Sequence, residues 1–276
     1  MAENTQNFEI YGRKIFFLNS SFSIRQSIIE PLRHMEFEIY TITDFRTVKN
    51  YLRLYRGSIL IVDPDTQLPP QVWLNFFSKL KEDPEQIYND VDIGIISDWL
   101  TEDKKKIFEA SELITAGIYS VEKRYEQTLA TMSDKLLALN AIGRRKHVRS
   151  RNNPEDPVDL LWIVDDKLFK FSVIDISSIS VAFLVDHSAM PMFRIGKTVD
   201  MSIVIKHKQY SVSMSVLFIK PGEKANICIL NLTDMNTDDV VSAIYEYIFE
   251  TLQLEVLRSV KGFSIDRTNY YVDAKM

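Results

Sequence analysis

The chain has 276 residues, of which 46% are hydrophobic and 26% charged, and its formal net charge is -5. That length suits two domains rather than one, the composition is that of a soluble globular protein, and the acidic balance argues against a general nucleic-acid binder. The single cysteine, Cys228, excludes an internal disulfide; in the apolar run Ile227–Leu230 it reads as buried and inert.

No apolar run approaches the roughly 20 residues that a membrane helix needs. The polar start, Met1 to Phe8, has no signal-peptide pattern. A reducing cytoplasm is the expected location, and no membrane partner is expected.

Along the chain, Lys14 to Leu18 is a compact apolar run and predicts a buried strand. Ser23 to Met35 predicts a helix with Ile24, Ile28 and Leu32 on one face, although Pro31 inside it should kink or shorten it. Phe37 to Ile42 is a second strand. Asp44 is an N-cap for a helix through Arg56 that Gly57 ends. Ser58 to Val62 is a third strand, closing on Asp63-Pro64-Asp65. Gln71–Lys81 reads as helix, Val91–Ser97 as strand, Glu102–Glu112 as helix, Ala116–Val121 as strand and Lys123–Ala141 as a long helix. Strand and helix alternating in this order predict an α/β domain with a parallel sheet covered on both faces, with function at the carboxyl ends of the strands.

The layout over residues 12–141 resembles a receiver domain of bacterial two-component signalling. The resemblance implies that Asp63, ending the third strand, stands where that family accepts a phosphoryl group, and that Ser97 stands at the family's hydroxyl position. The chemistry departs from the pattern elsewhere. The first strand ends in Leu18-Asn19-Ser20 without a carboxylate, so Asp63 and Asp65 alone make a poor site for a hard dication. Glu122 falls near the expected lysine, with Lys123 one residue off. This half therefore reads as a degenerate receiver-like domain ending in a connecting helix, with Asp63 as a strand-end turn residue. Tyr125, Leu129, Met132, Leu136 and Leu139 form one apolar stripe on that helix. The stripe packs on the domain's own sheet, or alternatively extends as a stalk or dimer seam.

Gly143 to Ser150 and Arg151 follow, a run with five Lys/Arg and no acid. Strands then recur at Val158–Val164, Leu168–Asp175, Val181–Val185, Val199–Ile205, Tyr210–Ile219 and Ala225–Leu232. Asp165-Asp166 and Pro221-Gly222 suit turns. Many short strands with turn signals predict a small antiparallel β-barrel. Asn236 or Thr237 caps a final helix whose stripe is Val241, Ile244, Ile248 and Leu252. The stretch 257–276 has no clear period and stays unassigned.

Two motifs stand in order here. Arg144-Arg145-Lys146-His147-Val148-Arg149 has the spacing RRxxxR, and Asp175-Ile176-Ser177-Ser178-Ile179-Ser180 has the spacing (D/N)xSxxG except at its last position. Separated by two strands and flanked by a barrel pattern, the pair resembles the PilZ family of cyclic di-GMP receptors over residues 142–256. The resemblance implies a site built from Arg144, Arg145, Arg149, Asp175, Ser177 and Ser180, with cyclic di-GMP as ligand.

The chemistry suits those residue types. Guanidinium is planar, permanently charged and forked, so it grips phosphate bidentately and stacks on a purine face. Guanine O6 and N7 accept two hydrogen bonds from one arginine. The N1–H and N2–H₂ edge needs acceptors, which the Asp175 carboxylate supplies; Ser177 adds a small donor and acceptor. Glycine at position 180 would permit close backbone approach or a positive φ. Serine adds a side chain that either crowds the ligand or is tolerated.

The glycines form no phosphate-cradling cluster, the four histidines have no metal-ligand spacing, and no nucleophile elbow is present. No catalytic residue, metal or cofactor is therefore expected; His147 reads as an exposed bystander in the basic run. The expected function is a non-enzymatic second-messenger receptor that changes its interdomain arrangement on binding and signals to an unidentified protein partner. The family resemblance implies control of motility, adhesion, biofilm or virulence. The competing readings are an adaptor that has lost nucleotide binding, a phosphotransfer response regulator, and a nucleic-acid binder using the basic run.

Overall fold

The computed structural model describes residues 11–121, 125–143 and 145–271. The chain divides into two compact units. One comprises the described residues up to Lys146 together with those from Val256 onward, and the other is His147–Glu255.

The first unit contains, in order, β1 (Ile15–Leu18), α1 (Phe22–Ile24), a π-helical turn (Arg25–Ile29), α2 (Glu30–His34), β2 (Ile39–Ile42), α3 (Val48–Leu54), β3 (Ile59–Val62), α4 (Pro70–Lys81), β4 (Asp92–Ser97), α5 (Glu102–Glu109), β5 (Ile114–Ser120) and α6 (Tyr125–Ala138). Its sheet has the order β2-β1-β3-β4-β5 with every pairing parallel. That is the flavodoxin-like doubly wound order, with its switch point between β1 and β3. Every residue of β1 and β3 is buried, because helices cover both faces.

The misfit at Pro31 has a local solution. Its ring would strike the carbonyl four residues back in a regular α-helix. The chain instead widens to a π turn, with the Glu30 amide donating to the Arg25 carbonyl, and Pro31 falls in the first turn of α2. Ile24, Ile28 and Leu32 stay buried. Asp44 caps a 3₁₀ turn, Phe45–Thr47, accepting from the Arg46 amide at 3.0 Å, and the α-helix proper starts at Val48. The α6 stripe is core: Met132 and Leu136 pack with Phe17, Ile24 and Ile28, and only Tyr125 is exposed.

The stretch after α7 packs within the first unit. The Asp266 amide donates to the Arg46 carbonyl at 2.8 Å, and its carboxylate pairs with Lys49 at 3.1 Å. Tyr270 is buried, its ring 5.1 Å from Phe76 and 6.2 Å from Phe45. Burial alone would raise the Asp266 pKa. Hydrogen bonds from Thr268 and Tyr270 and the Lys49 ammonium outweigh that and hold it at about 2. No hydrophobic period announces this segment, because one aromatic plug and a few polar contacts anchor it.

The second unit contains β6 (Arg149–Arg151), β7 (Asp159–Val164), β8 (Lys167–Ser177), β9 (Ser180–Val185), β10 (Thr198–Ile205), β11 (Lys208–Lys220), β12 (Asn226–Leu232) and most of α7 (Asp238–Ser259). The strand order is β6-β8-β7-β10-β11-β12-β9, and an added β8–β9 pairing closes all strands but β6 into an antiparallel barrel. Asp165 and Asp166 both have positive φ, 49° and 57°, as a type I′ hairpin requires. Lys206 and His207 adopt the same turn, at 48° and 63°, without the usual Asn or Gly signal. On α7 the fully buried stripe begins at Val240, one residue before the predicted Val241, and continues through Ile244 and Ile248. Among the described residues, no helix is long and apolar enough to cross a membrane.

Tyr270→Ala should lower unfolding stability by about 3 kcal/mol, the cost of truncating a buried aromatic. A reduced urea midpoint at unchanged slope would register it.

Candidate ligand-binding site

The parallel sheet's carboxyl edge gathers Asp63, Asp65, Ser97 and Asp98. Asp63 is buried and accepts from the Ser21 amide at 3.2 Å and the Asp65 amide at 3.0 Å. Asp65 accepts from Ser97 Oγ at 2.8 Å, the Trp99 amide at 3.2 Å and Lys104 Nζ at 2.9 Å. Ser21 Oγ donates to Asp98. The cation at this edge is thus an ammonium from α5. Glu122 and Lys123 lie outside the described residues. Desolvation by burial, aided by the nearby charges of Asp65 and Asp98 and opposed by the two backbone amides, raises the Asp63 pKa to about 6. Among the described residues, no group of three or more His, Cys, Asp or Glu could hold a metal ion.

Each end of the basic run has contacts within its own unit. Gly143 lies against Gly12, so close that a Cβ on Gly12 would come within 3.0 Å of the Gly143 Cα. At the other end β6 pairs antiparallel with β8, Arg149 opposite Ser177, Ser150 opposite Ile176 and Arg151 opposite Asp175. β8 outruns β7, whose pairing stops at Asp159 opposite Ser172, so β6 takes up the edge that β7 leaves.

Asn152 fills the junction. Its amide nitrogen donates to the carbonyls of Val158 (3.1 Å) and Val173 (2.9 Å), and its oxygen accepts from the Val158 amide (2.8 Å) and the Tyr247 hydroxyl (2.9 Å). The Tyr247 hydroxyl in turn accepts from the Asn153 amide at 2.8 Å.

Strand alternation then sorts the side chains. Ser150 and Ile176 are buried on the barrel side. Arg149, Arg151, Asp175 and Ser177 share the outer face. Arg149 Nη1 is 3.9 Å from Asp175 Oδ1, a loose pair whose members are 42% and 30% exposed, so both retain bonding capacity. Arg151, directly opposite Asp175, was not singled out by the motif; only the register brings it there. Arg145 is exposed in the run before β6, and Arg144 lies outside the described residues.

The two serines behave differently from exposed ligand donors. Ser177 Oγ is buried, accepts from the Ser180 amide at 3.0 Å and lies 2.9 Å from Ser180 Oγ. Both hydroxyls hold the β8–β9 turn. Ser180 is not among the positive-φ residues, so its side chain brings no backbone strain. His147, read from sequence as a bystander, places Nδ1 3.2 Å from Ser178 Oγ and ties the basic run to the same turn. A separate groove of about 680 Å³, lined by Ile163, Leu168, Asp200, Gln209 and Met235 among others, contains none of the motif residues.

No family model and no curated protein matches this chain. Among solved structures, it is similar to the Bacillus subtilis inhibitor of motility MotI/DgrA, with 19% identity over 41% of this chain and 53% of that one, at a TM-score of 0.34. It is similar to K. pneumonia MrkH in its complex with c-di-GMP, with 16% identity over 42% of this chain and 56% of that one, at 0.36. The PilZ domain of Escherichia coli YcgR with c-di-GMP is matched with 12% identity over 43% of this chain and 98% of that one, at 0.37. The match spans about half the length of the first two proteins.

The raised pKa of Asp63 makes stability depend on pH. The folded state keeps a proton that the unfolded chain releases near pH 4, so this group's contribution to stability falls as pH rises from about 4 to about 6 and stays reduced above that. The loss is on the order of 3 kcal/mol. Asp63→Asn should flatten that part of the stability–pH curve, measured by urea unfolding at pH 4 to 7.

Proposed function

We propose that this chain is a non-enzymatic receptor for cyclic di-GMP, acting in the cytoplasm. The observation that supports it best is the β6–β8 register, which sets two outward guanidiniums, Arg149 and Arg151, against the partly exposed carboxylate of Asp175. A ligand with anionic phosphodiesters and hydrogen-bonding purines matches that set. Arginine forks take the phosphates and stack on or fork to a guanine, and Asp175 accepts from the guanine N1–H and N2–H₂ edge. Arg144, Arg145 and Arg149, with Arg151, supply the guanidiniums in this reading. Ser177 and Ser180 shape the turn that presents Asp175.

The chain passes from the first unit to the second between Lys146 and His147, inside the basic run, so the ligand in this reading would engage a segment of chain that joins the two units. That biases their arrangement only if the ligand binds one arrangement more tightly than another. An altered arrangement is what a protein partner would read. The first unit, in this reading, is a receiver-like docking module without phosphotransfer, its Asp65 already paired with Lys104.

Calorimetric titration with cyclic di-GMP tests the reading. The wild-type chain should bind, and Arg149→Ala should weaken binding about ten- to a hundredfold, as the loss of a charge-assisted hydrogen bond implies. A chain that gives no heat and no rise in melting temperature with the ligand is an adaptor instead.

A further inference from the structure

The barrel registers carry the outer face beyond Asp175 in two lateral rows. In the first, Asp175 on β8 stands opposite Ala182 on β9, Ala182 opposite Ile229 on β12, and Ile229 opposite Phe218 on β11. Neighbours across strands point to the same face, so these side chains form one outward line. The inward partners confirm the assignment: Val181, Leu230 and Val216 lie in register on the barrel side and are fully buried.

In the second row Ser180 stands opposite Asn231, and Asn231 opposite Ser215. The apolar row and the polar row are adjacent, since Ile229 and Asn231 are two residues apart on β12.

Three features distinguish this surface from an ordinary strand exterior. Phe218 is 49% exposed. It is held outward by a register shift in the β11–β12 pairing between Val216 and Phe218, which takes Leu217 out of the pairing. Ala182, the smallest apolar side chain of the row and only 6% exposed, stands between Asp175 and Ile229. Asn231 Oδ1 is buried without a hydrogen-bond partner in the protein. An unsatisfied buried acceptor is costly unless something donates to it.

We infer that Ala182, Ile229, Phe218 and Asn231 form a purine subsite of the ligand cleft. Phe218 and Ile229 take the face of a base, and Asn231 Oδ1 accepts from its N–H edge. Two strand spacings, about 10 Å, separate β8 from β12. A dinucleotide with two purines therefore offers one to Asp175 and the other to Asn231. The chemistry prefers guanine, whose N1–H and N2–H₂ are donors, over adenine, whose N1 is an acceptor. The inference rests on the receptor reading above and deepens it.

Calorimetry with cyclic di-GMP and cyclic di-AMP, on the full chain and its variants, tests it. Phe218→Ala should weaken both nucleotides about tenfold, the scale of losing one aromatic–base stack, and Phe218→Tyr should restore both. Asn231→Ala should weaken cyclic di-GMP about tenfold and leave cyclic di-AMP within twofold, so that discrimination between the two falls. Phe218 is exposed and Asn231 is partly buried, and unchanged melting temperatures confirm that the variants fold. If both alanine variants bind cyclic di-GMP as tightly as wild type while Arg149→Ala does not, the subsite is wrong and the receptor reading stands. If the wild-type chain binds neither nucleotide, both readings fall.

Discussion

The short pairing of β6 with the end of β8 is the constraint on which the candidate site depends. β8 continues past the point where β7 stops pairing with it, and its backbone groups there need partners. Arg149–Arg151 supplies strand pairing, and Asn152, held by Tyr247 from α7, closes the remaining gap with its side-chain amide. Because side chains alternate along a strand, this register also decides which residues face out. A slip by one residue would bury the two arginines and expose Ser150. Arg149 and Arg151 are therefore delivered to Asp175 by backbone hydrogen bonding; electrostatic attraction contributes little to an ion pair as long as 3.9 Å and as exposed as this one.

Closing the barrel has a second consequence. With the interior filled by residues such as Phe183, Val181 and Leu230, any ligand of this unit must lie on its outside. Closure also turns neighbouring strands into continuous lateral rows, so residues far apart in sequence, Asp175, Ala182, Ile229 and Phe218, become a line across the surface. A bulge in β11 and an unsatisfied amide on β12 fall on that line and the one beside it.

The two units treat charge in opposite ways. At the edge of the parallel sheet, the acids find partners inside the protein: Asp65 has Lys104, Ser97 and a backbone amide, and Asp63 has two amides and a pKa pushed up by burial. On the barrel, Arg151 is exposed and Arg149 meets Asp175 only loosely, in a chain that is acidic as a whole. Unmatched cations held in a fixed geometry are the ones available to an anion from outside. That asymmetry leaves the barrel cations open to an anion, although a doubly wound sheet ordinarily offers its carboxyl edge to ligands.

The sequence by itself determined the fold class. Buried parallel strands must be apolar throughout, as in Ile15–Leu18 and Ile59–Val62, and half-buried antiparallel strands must alternate, as in Tyr210–Val216. It also marked the basic run and the Asp175–Ser180 segment, because charge and turn chemistry are local properties. Tertiary structure alone decided the rest. Arg151 joins Asp175 through a strand register, Ser177 and Ser180 turn toward each other across a tight turn, and Tyr270 finds a socket between Phe45 and Phe76 with no periodicity to announce it. Each of these depends on which distant segment lies alongside. Linear patterns encode which face of an element is apolar; they do not encode which neighbour that face or edge will meet.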